Sequence, residues 1–557
     1  MDFLDRAMLF QNKLRQETTC NSLRRLIESA KVLYSLFSNQ ALRWTDRLFC
    51  KKKMENLDWL EWEPVTTPLN FDVIQHGALP KKITAIELSR DTDLKLVAIG
   101  RGTGYFSLEE HINLRPGESA SYAEETIGRT KFGALVLLRG VLLVSSNNKS
   151  TSLQVEDTDP LFIHAEVSEA QVFQAELPIV NQVEWIVNFS TDNYILGRCT
   201  IRERSSFFKR ERSGGDVLER NLGQNVNGSP DHFRCECTFS NQKWSFIVGH
   251  VIDDIAPTRY RPGFLEFDNL KGNGLPSEDA KQTILAALSF ALGRQLVSVG
   301  STSLGKDGDR IGFTSREVYM LEENVYKQPS KLPTPIGLVQ QEWCLDERKV
   351  SGIISAVASK METINIEYPL FLVWLGLTSP LDVQAAHLGA AIESLRDSYC
   401  TVGKELSTLL VSKSIWKTRI KKPLIETFDK IIDSLEEGSI DSKEKEILRR
   451  KLEDLNKKSS NMQYEEFFNL LNIKVGKVEL QALRERNRPA HGHRYKPSEF
   501  HKLSMTINAL YSLFNRLVLK MTNASDCYID YSTYGYPVRD IEHPLGGPEG
   551  DGSPAIA

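Results

Sequence analysis

The spacing of apolar residues changes near residue 335, and this change limits the folds open to the chain. Between about 64 and 330, short runs rich in β-branched residues alternate with turn residues, as in Thr84–Leu88, Val183–Phe189 and Trp244–Val251. Such runs are typical of strands. From about 347 onward, apolar residues recur every three or four positions, which is typical of amphipathic helices. The sequence therefore predicts an α+β multidomain protein, with a β-rich N-terminal half and an all-α helical C-terminal half.

At about 150 residues per domain, 557 residues correspond to three or four domains. Changes in apolar spacing and composition along the chain predict five segments. They are a helical N-terminal extension (1–63), a β-rich domain (64–330), a connector (331–374), a helical domain (375–525), and a C-terminal segment with a flexible tail (526–557). Within the β-rich domain we expect one helix at Ser277–Gly293. A final hairpin is expected from Gln295–Ser301 and Arg310–Ser315.

Three periodic segments indicate the helices of the C-terminal half. They are Leu381, Ala385, Leu388, Ile392 and Leu395, after the start signal Ser379-Pro380; Leu424, Phe428, Ile431 and Leu435; and Leu503, Ile507, Leu510, Phe514 and Leu517. Each set places its apolar side chains on one face of a helix. We expect the three helices to close around one core.

The charge of the chain is divided unevenly. The formal net charge is −4, which argues against a protein that coats nucleic acid along its whole length. Residues 381–525, however, contain 25 basic and 19 acidic residues, a net charge of +6, which leaves −10 for the remainder. The helical domain is therefore the basic one, and we expect any anionic partner to bind there.

Other features predict a cytoplasmic protein without a membrane partner. The eight cysteines include no Cys-x-x-Cys pair of the kind that binds zinc, and they are too few for a disulfide scaffold. Acidic residues at Asp2 and Asp5 replace the basic start of an export signal. No apolar run reaches the 18 or so residues of a membrane-spanning helix.

The most informative motif is the string Arg-Asn-Arg-Pro-Ala-His-Gly-His at 486–493. It follows a predicted short helix, Val478–Arg486, and precedes the long helix predicted from Ser498. Pro489 should end the first helix near Asn487, which would free His491 to fold back toward Arg486. A histidine that titrates near neutrality can transfer protons and a guanidinium can neutralise charge on a phosphate, so the motif suits phosphodiester chemistry.

The motif resembles the Arg-Asn-x3-His signature of HEPN-type ribonucleases, in which it precedes the last long helix of a helical domain. The resemblance covers roughly residues 375–525 and matches at Arg486, Asn487 and His491. It implies RNA cleavage without a metal or other cofactor. His491 would be the general acid or base, Arg486 would stabilise the transition state, and Asn487 would position the histidine. Further RNA contacts are expected from the neighbouring residues Arg484, Arg488, His493, Arg494 and Lys496.

The whole architecture resembles the ApeA-type antiviral abortive-infection proteins of bacteria. This second resemblance rests on the order of the two halves and on the stretch 286–293, Ala-Ala-Leu-Ser-Phe-Ala-Leu-Gly. It implies that the β-rich half senses a phage-derived trigger. HEPN-type domains usually dimerise so that two motifs face a shared cleft, which implies a homodimer through the helical domain.

Several alternatives stay open. His493 lies within the looser spacing tolerated from Arg486, and Glu393 either pairs with a motif arginine or is an ordinary exposed glutamate. The chain could instead be a non-catalytic binding protein whose helical half only dimerises. A metal-dependent nuclease built on Asp253 and Asp254 is a third hypothesis.

Three other patterns in the sequence have simpler interpretations. Basic residues and Phe207 and Phe208 alternate within 202–212 and could contact RNA, although most such segments are hairpins. The string 300–307, Gly-Ser-Thr-Ser-Leu-Gly-Lys-Asp, lacks both the hydroxyl and the following helix that a phosphate loop needs. Cys235 and Cys237 are expected to be buried cysteines of a strand.

Overall fold

The computed structural model describes residues 68–91, 94–106, 124–148, 159–173, 178–190, 194–211, 217–251, 261–268, 274–306, 310–318, 334–340, 343–403, 407–435, 440–486 and 495–546, without the side chains of 200–229, 403 and 453. The chain divides into two units, Met1–Leu60 and Glu61–Ala557, and only the second contains described residues. The predicted helical extension at 1–63 and most of the predicted tail therefore lie outside the description.

The first part of the β-rich half is a closed barrel of six antiparallel strands. The strands are β1 (Leu69–Gln75), β2 (Ile83–Arg90), β3 (Leu96–Thr103), β4 (Thr126–Thr130), β5 (Leu135–Asn148) and β6 (Pro160–Phe173). The pairings β1–β4 and β3–β6 close the ring. Alternate residues such as Val136 and Leu138 are fully buried and fill the interior with aliphatic side chains.

A single long strand continues the barrel into a second sheet. The first part of β6 pairs with β3 and its last residues pair with β13. The added strands are β7 (Asn181–Val187), β8 (Arg198–Glu211), β9 (Val217–Phe239), β10 (Gln242–His250), β11 (Gly263–Asp268), β12 (Val297–Leu304) and β13 (Arg310–Arg316), in the spatial order β13-β12-β7-β11-β10-β9-β8. The predicted hairpin is confirmed as β12–β13, and 297–304 is a strand rather than a phosphate loop.

One difference from the expected strands concerns β5. The sequence predicts two strands, Ala134–Leu138 and Val141–Ser145, separated at Arg139 and Gly140. The structure has one strand through both segments, paired with β6 along its length. Gly140 adopts a left-handed φ of +63°, a conformation open to glycine, which lets the strand bend without losing its partner.

The helices follow the second sheet. The predicted helix at Ser277–Gly293 is confirmed as α1 (Glu278–Leu292), where Ser277 accepts a hydrogen bond from the N–H of Ala280 and Gly293 ends the helix at φ +64°. The later helices are α2 (Glu347–Ala358), α3 (Met361–Ile364), α4 (Glu367–Thr378), α5 (Leu381–Gly403), α6 (Lys413–Ile415), α7 (Lys422–Asp433), α8 (Ser442–Glu453), α9 (Ser460–Leu470), α10 (Lys477–Glu485) and α11 (Phe500–Thr522). Short strands β14 (Cys527–Ile529) and β15 (Val538–Asp540) end the described fold.

The prediction of a β-rich first half and a helical second half is thus confirmed. The segment predicted as a connector, 331–374, contains α2, α3 and most of α4. Within the part of the chain that the structure describes, no helix is both long and apolar enough to span a bilayer.

The second sheet and the helices share one apolar core. Buried side chains from the sheet, α1, α2, α5 and α11 belong to a single cluster, for example Phe246, Leu288, Ile354, Leu388 and Leu510, each at most 1% exposed. The barrel interior forms a separate cluster. The helical half is therefore packed on the second sheet by apolar contacts.

Two of the three predicted core helices are confirmed, and the third is not. The apolar residues of α5 and α11 are buried, but α7 buries none of its residues, and Ile431 and Leu435 are 56% and 44% exposed. The reason is the topology: α7 forms a two-helix hairpin with α8, held partly by the ion pair Asp429–Arg449. A pair of helices without a second layer leaves part of each apolar face uncovered.

Helix α2 covers an open strand edge. Strand β9 continues beyond the last of its residues that pairs with β8. In this part, the backbone N–H groups of Arg234, Glu236 and Thr238 donate to side chains of α2 at 3.1, 3.1 and 3.2 Å. The acceptors are Glu347, Ser351 and Ser355, which lie four residues apart and so on one face of the helix. Arg198 at the start of β8 also donates to Glu347. The edge is thereby closed to pairing with another strand.

Candidate functional site

Arg486 lies immediately after the end of α10. The predicted helix 478–486 agrees with the observed bounds, Lys477–Glu485, and the N–H of Arg486 makes the last helical hydrogen bond, to Ala482 at 3.1 Å. The side chain of Arg486 turns inward, and the residue is only 5% exposed. A buried guanidinium must be paired, because its desolvation is costly.

The partners of Arg486 come from α5 and α9. Its Nη1 donates to the Tyr464 hydroxyl, and its Nη2 lies 3.5 Å from Ser460 Oγ. The same Nη2 lies 3.6 Å from Glu393 Oε2. Of the two interpretations of Glu393, the structure therefore shows the pairing with the motif arginine.

A second arginine completes this cluster. The guanidinium carbons of Arg396 and Arg486 lie 4.7 and 4.8 Å from the centre of the Tyr464 ring, within range of cation–π attraction. Arg396 pairs with Asp397 at 2.6 Å and with Glu393 at 3.3 Å. Burial raises the pKa of the Tyr464 hydroxyl, although Arg486 acts in the opposite direction. Tyr464 is therefore neutral at pH 7 and positions the arginine without acting as a base.

Gly389 provides the space that Arg486 occupies. A Cβ atom at this position of α5 would lie 2.6 Å from Arg486 Cδ and 3.0 Å from Arg486 Cβ. Glycine within a helix costs about 1 kcal/mol relative to alanine, so a buried helical glycine usually has a packing reason. Here the reason is the approach of the Arg486 side chain to the α5 backbone.

We expect Gly389→Ala to displace Arg486 and to lower the free energy of unfolding by about 1–3 kcal/mol, the usual range for overpacking. Urea denaturation of the two proteins measures the difference. The matched control is Gly352→Ala in α2, where a Cβ would have no heavy atom within 4 Å and should stabilise the helix by about 0.5–1 kcal/mol. Equal effects of the two substitutions would contradict the packing role of Gly389.

A cleft of about 760 Å³ opens between α9 and α10, with Arg486 in its wall. Its polar lining has two further cations, Lys474 and Arg484, one carboxylate, Glu465, and three amides, Asn461, Asn469 and Asn472, while Phe468, Leu480 and Leu483 supply apolar surface. The amides can donate to and accept from a base edge or a sugar, and the cations attract a phosphate. Such a lining suits a phosphorylated, hydrogen-bonding ligand.

The structure describes three of the eight residues predicted for the site. It brings Arg484 and Arg486 together in the cleft, and it places Lys496 on the surface before α11, where its backbone N–H donates to Glu499 at 2.8 Å. The other five, Asn487, Arg488, His491, His493 and Arg494, lie outside the described residues. Sequence reasoning missed Tyr464, Arg396 and Gly389, of which Gly389 alone had a signal, as an isolated glycine in a helical pattern.

A buried ion pair holds α10 against α11. Arg516 Nη1 lies 3.2 Å from Glu479 Oε1, and both side chains are completely buried. Glu479 also accepts from the N–H groups of Gly476 and Leu545 at 2.9 and 2.7 Å. Burial raises the pKa of Glu479 and lowers the pKa of Arg516. This network fixes α10, the helix immediately before Arg486, and no pattern in the sequence indicates it.

The other candidates from the sequence are two cysteines, one basic segment and two aspartates. Cys235 and Cys237 are buried in β9 as predicted, and burial raises the pKa of Cys237 to about 12. Residues 202–211 belong to β8, and their side chains lie outside the description. Asp253 and Asp254 lie outside the described residues. Among the described residues, no group of three or more His, Cys, Asp or Glu side chains could hold a metal ion.

Comparison with known proteins finds no match among protein-family models, curated proteins or solved structures.

Proposed function

We propose that this protein is a metal-independent endoribonuclease of a bacterial antiphage abortive-infection system. The observation that carries the proposal is the position of Arg486, the first residue of the Arg-Asn-x3-His motif. It lies at a helix end, in the wall of a cationic cleft, and Glu393 and Tyr464 fix its guanidinium. The HEPN-like identity of the helical domain belongs to this proposal.

In the proposed reaction, a ribose 2′-hydroxyl attacks the adjacent phosphorus. His491 accepts the hydroxyl proton or donates a proton to the leaving group, the bond from phosphorus to the 5′ oxygen breaks, and that oxygen is protonated. The products are a 2′,3′-cyclic phosphate and a 5′-hydroxyl end. Arg486 stabilises the negative charge on the phosphoryl oxygens in the transition state, and Asn487 positions the histidine. No metal ion or cofactor enters any step.

The proposed partners are an RNA substrate, a second copy of the chain and a phage-derived trigger. The RNA is held by Arg484 and Lys496 together with Arg488, His493 and Arg494, and the protein acts in the cytoplasm as a homodimer through its helical domain. The β-rich half senses a phage-derived trigger. The shared core of the second sheet and the helices supports such coupling, because a change in the sheet would be transmitted by direct packing.

A cleavage assay in the presence of EDTA tests the proposal. We expect the purified chain, incubated with total RNA and chelator, to release fragments that end in a 2′,3′-cyclic phosphate and begin with a 5′-hydroxyl. End-labelling with polynucleotide kinase, with and without its phosphatase step, identifies these ends. Activity that disappears with EDTA would instead favour the metal-dependent hypothesis at Asp253 and Asp254.

The second candidate function is a non-catalytic binding protein. The burial of Arg486 and its bonds to Tyr464 and Glu393 favour this alternative, since they also suit a purely structural arginine. If Arg486→Ala and His491→Ala retain phage protection while surface substitutions in 64–330 abolish it, the binding function is correct.

A further inference from the structure

A group of basic residues at the start of the α7–α8 hairpin, near the cleft, has no role in the proposed reaction. Five cations occur within ten residues, Lys413, Lys417, Arg419, Lys421 and Lys422, and the sequence has no acidic residue from 407 to 425. Helix α6, the π-helical turn Trp416–Lys421 and the start of α7 follow one another without a break and form one continuous helical segment. The five cations lie on this segment. We call 413–422 the basic helix.

Four of the five cations of the basic helix have no acidic partner among the described residues. Lys413, Lys417, Arg419 and Lys422 are exposed, and none of them forms an ion pair with any residue that the structure describes. By contrast, three cations of the neighbouring α8 are paired: Lys445 with Asp433, Arg449 with Asp429, and Arg450 with Glu446. The basic helix therefore presents a concentrated positive surface to the solvent.

The π-helical turn arranges these side chains. Hydrogen bonds in a π-helix join residues five apart, so Lys417 and Lys422 lie one turn apart on the same side of the segment. Lys413 lies four residues before Lys417, or about 6 Å along an α-helical axis. Lys413, Lys417 and Lys422 therefore form a row along one side of the segment, and a row of cations fits a chain of phosphates. Arg419, two residues after Lys417, lies on another side.

The basic helix begins close to the wall of the Arg486 cleft. Just before it, the N–H of Val411 donates to Asn456 Oδ1 at 3.0 Å, and Asn456 Nδ2 returns a bond to the carbonyl of Val411 at 3.0 Å. Asn456 precedes Ser460, a cleft residue that contacts Arg486, by only four positions. Four residues span at most about 14 Å. A strand leaving the cleft can thus reach the basic helix within a few nucleotides.

We propose that the basic helix binds the phosphate backbone of a single-stranded RNA whose cleavage site lies in the Arg486 cleft. The inference rests on the proposed function, since it extends the same RNA site. An anionic lipid surface fits less well, because the exposed apolar residue of α7, Ile431, shares its helix with Glu426, Asp429 and Asp433. Those carboxylates would be repelled by acidic headgroups, whereas the basic helix itself is free of acids.

The experiment measures RNA binding apart from cleavage. The full chain carrying His491→Ala is titrated in EDTA against a fluorescently labelled 20-nucleotide single-stranded RNA, and anisotropy is followed at several salt concentrations. Adding Lys413→Gln, Lys417→Gln and Lys422→Gln should weaken binding about tenfold or more at low salt. It should also reduce the slope of log K against log salt by about 2, since each lost phosphate contact on a single strand contributes roughly 0.7.

The matched control carries Lys81→Gln, Lys131→Gln and Lys360→Gln, which remove three exposed lysines elsewhere and change the net charge equally. An equal loss in both triple variants, unchanged binding in the first, or no RNA binding by the parent protein would each overturn the inference. So would selective loss of binding to phosphatidylserine vesicles with RNA binding intact.

The two proposals fail in different ways. If the chain with an intact His491 cleaves no RNA but RNA binding depends on the basic helix, the ribonuclease proposal fails and the binding surface stands. If the first triple variant, with His491 restored, cleaves RNA with unchanged KM and kcat, the binding surface fails and the ribonuclease stands.

Discussion

Replacing His491 with alanine is expected to lower the rate of RNA cleavage by about 10²–10⁴-fold, the usual contribution of a general acid or base. After the substitution, no side chain able to transfer a proton remains five residues after Arg486. Arg486 is already bonded to Tyr464 and Glu393, and a guanidinium has donors but no acceptor, so it cannot take up the hydroxyl proton. Single-turnover cleavage with enzyme in excess measures the chemical step directly.

Two other histidines make this test specific. His501, exposed on α11, serves as the control, and His501→Ala should retain the wild-type rate. His493→Ala distinguishes the alternative residue of the motif. A wild-type rate in His491→Ala together with a large loss in His493→Ala would transfer the catalytic role to His493, and wild-type rates in both would refute catalysis by this motif.

The second large effect is expected on stability. Glu479→Ala should lower the free energy of unfolding by about 3–5 kcal/mol, because it leaves the guanidinium of Arg516 completely buried without its carboxylate. The N–H groups of Gly476 and Leu545 would lose their acceptor as well. Chemical denaturation followed by tryptophan fluorescence measures the difference.

Two control variants separate the cost of leaving a buried charge unpaired from the cost of removing a carboxylate. Glu446→Ala removes the carboxylate of an exposed ion pair with Arg450 and should cost less than about 1 kcal/mol. The double replacement Glu479→Leu with Arg516→Met removes both buried charges and should destabilise less than Glu479→Ala alone. A cost for Glu479→Ala as small as that for Glu446→Ala would show that the buried pair does not stabilise the fold.

The alternation and spacing of apolar residues were sufficient to predict much of the secondary structure. Helix α1 was predicted to within a residue, because Ser277 and Gly293 are strong capping residues, and the β12–β13 hairpin followed from its turn residues. The closure of the barrel through β3–β6 was not predictable, since strand pairing between distant segments leaves no local pattern. The exposed face of α7 was missed for a related reason: periodicity shows that a helix has an apolar face, but not whether another element covers it.

The candidate site shows the same limit. The position of Arg486 at a helix end followed from Pro489, and Glu393 was recognised as a potential partner from its place on the preceding long helix. The stacking of Tyr464 with two arginines depends on how α9 packs against α5, which no spacing rule within one segment can indicate. The cations of the basic helix were not singled out from the sequence, because their exposure and their proximity to the cleft are properties of the folded chain.

The contacts of α2 with β9 make the two halves of the described unit depend on each other. Three backbone donors of the strand are bonded to the helix, and the other face of the same helix lies in the apolar core with α5 and α11. Removing the helices from the chain would therefore uncover an aggregation-prone edge and a large apolar surface at the same time. A truncation between the halves should therefore lead to aggregation rather than release a folded helical fragment.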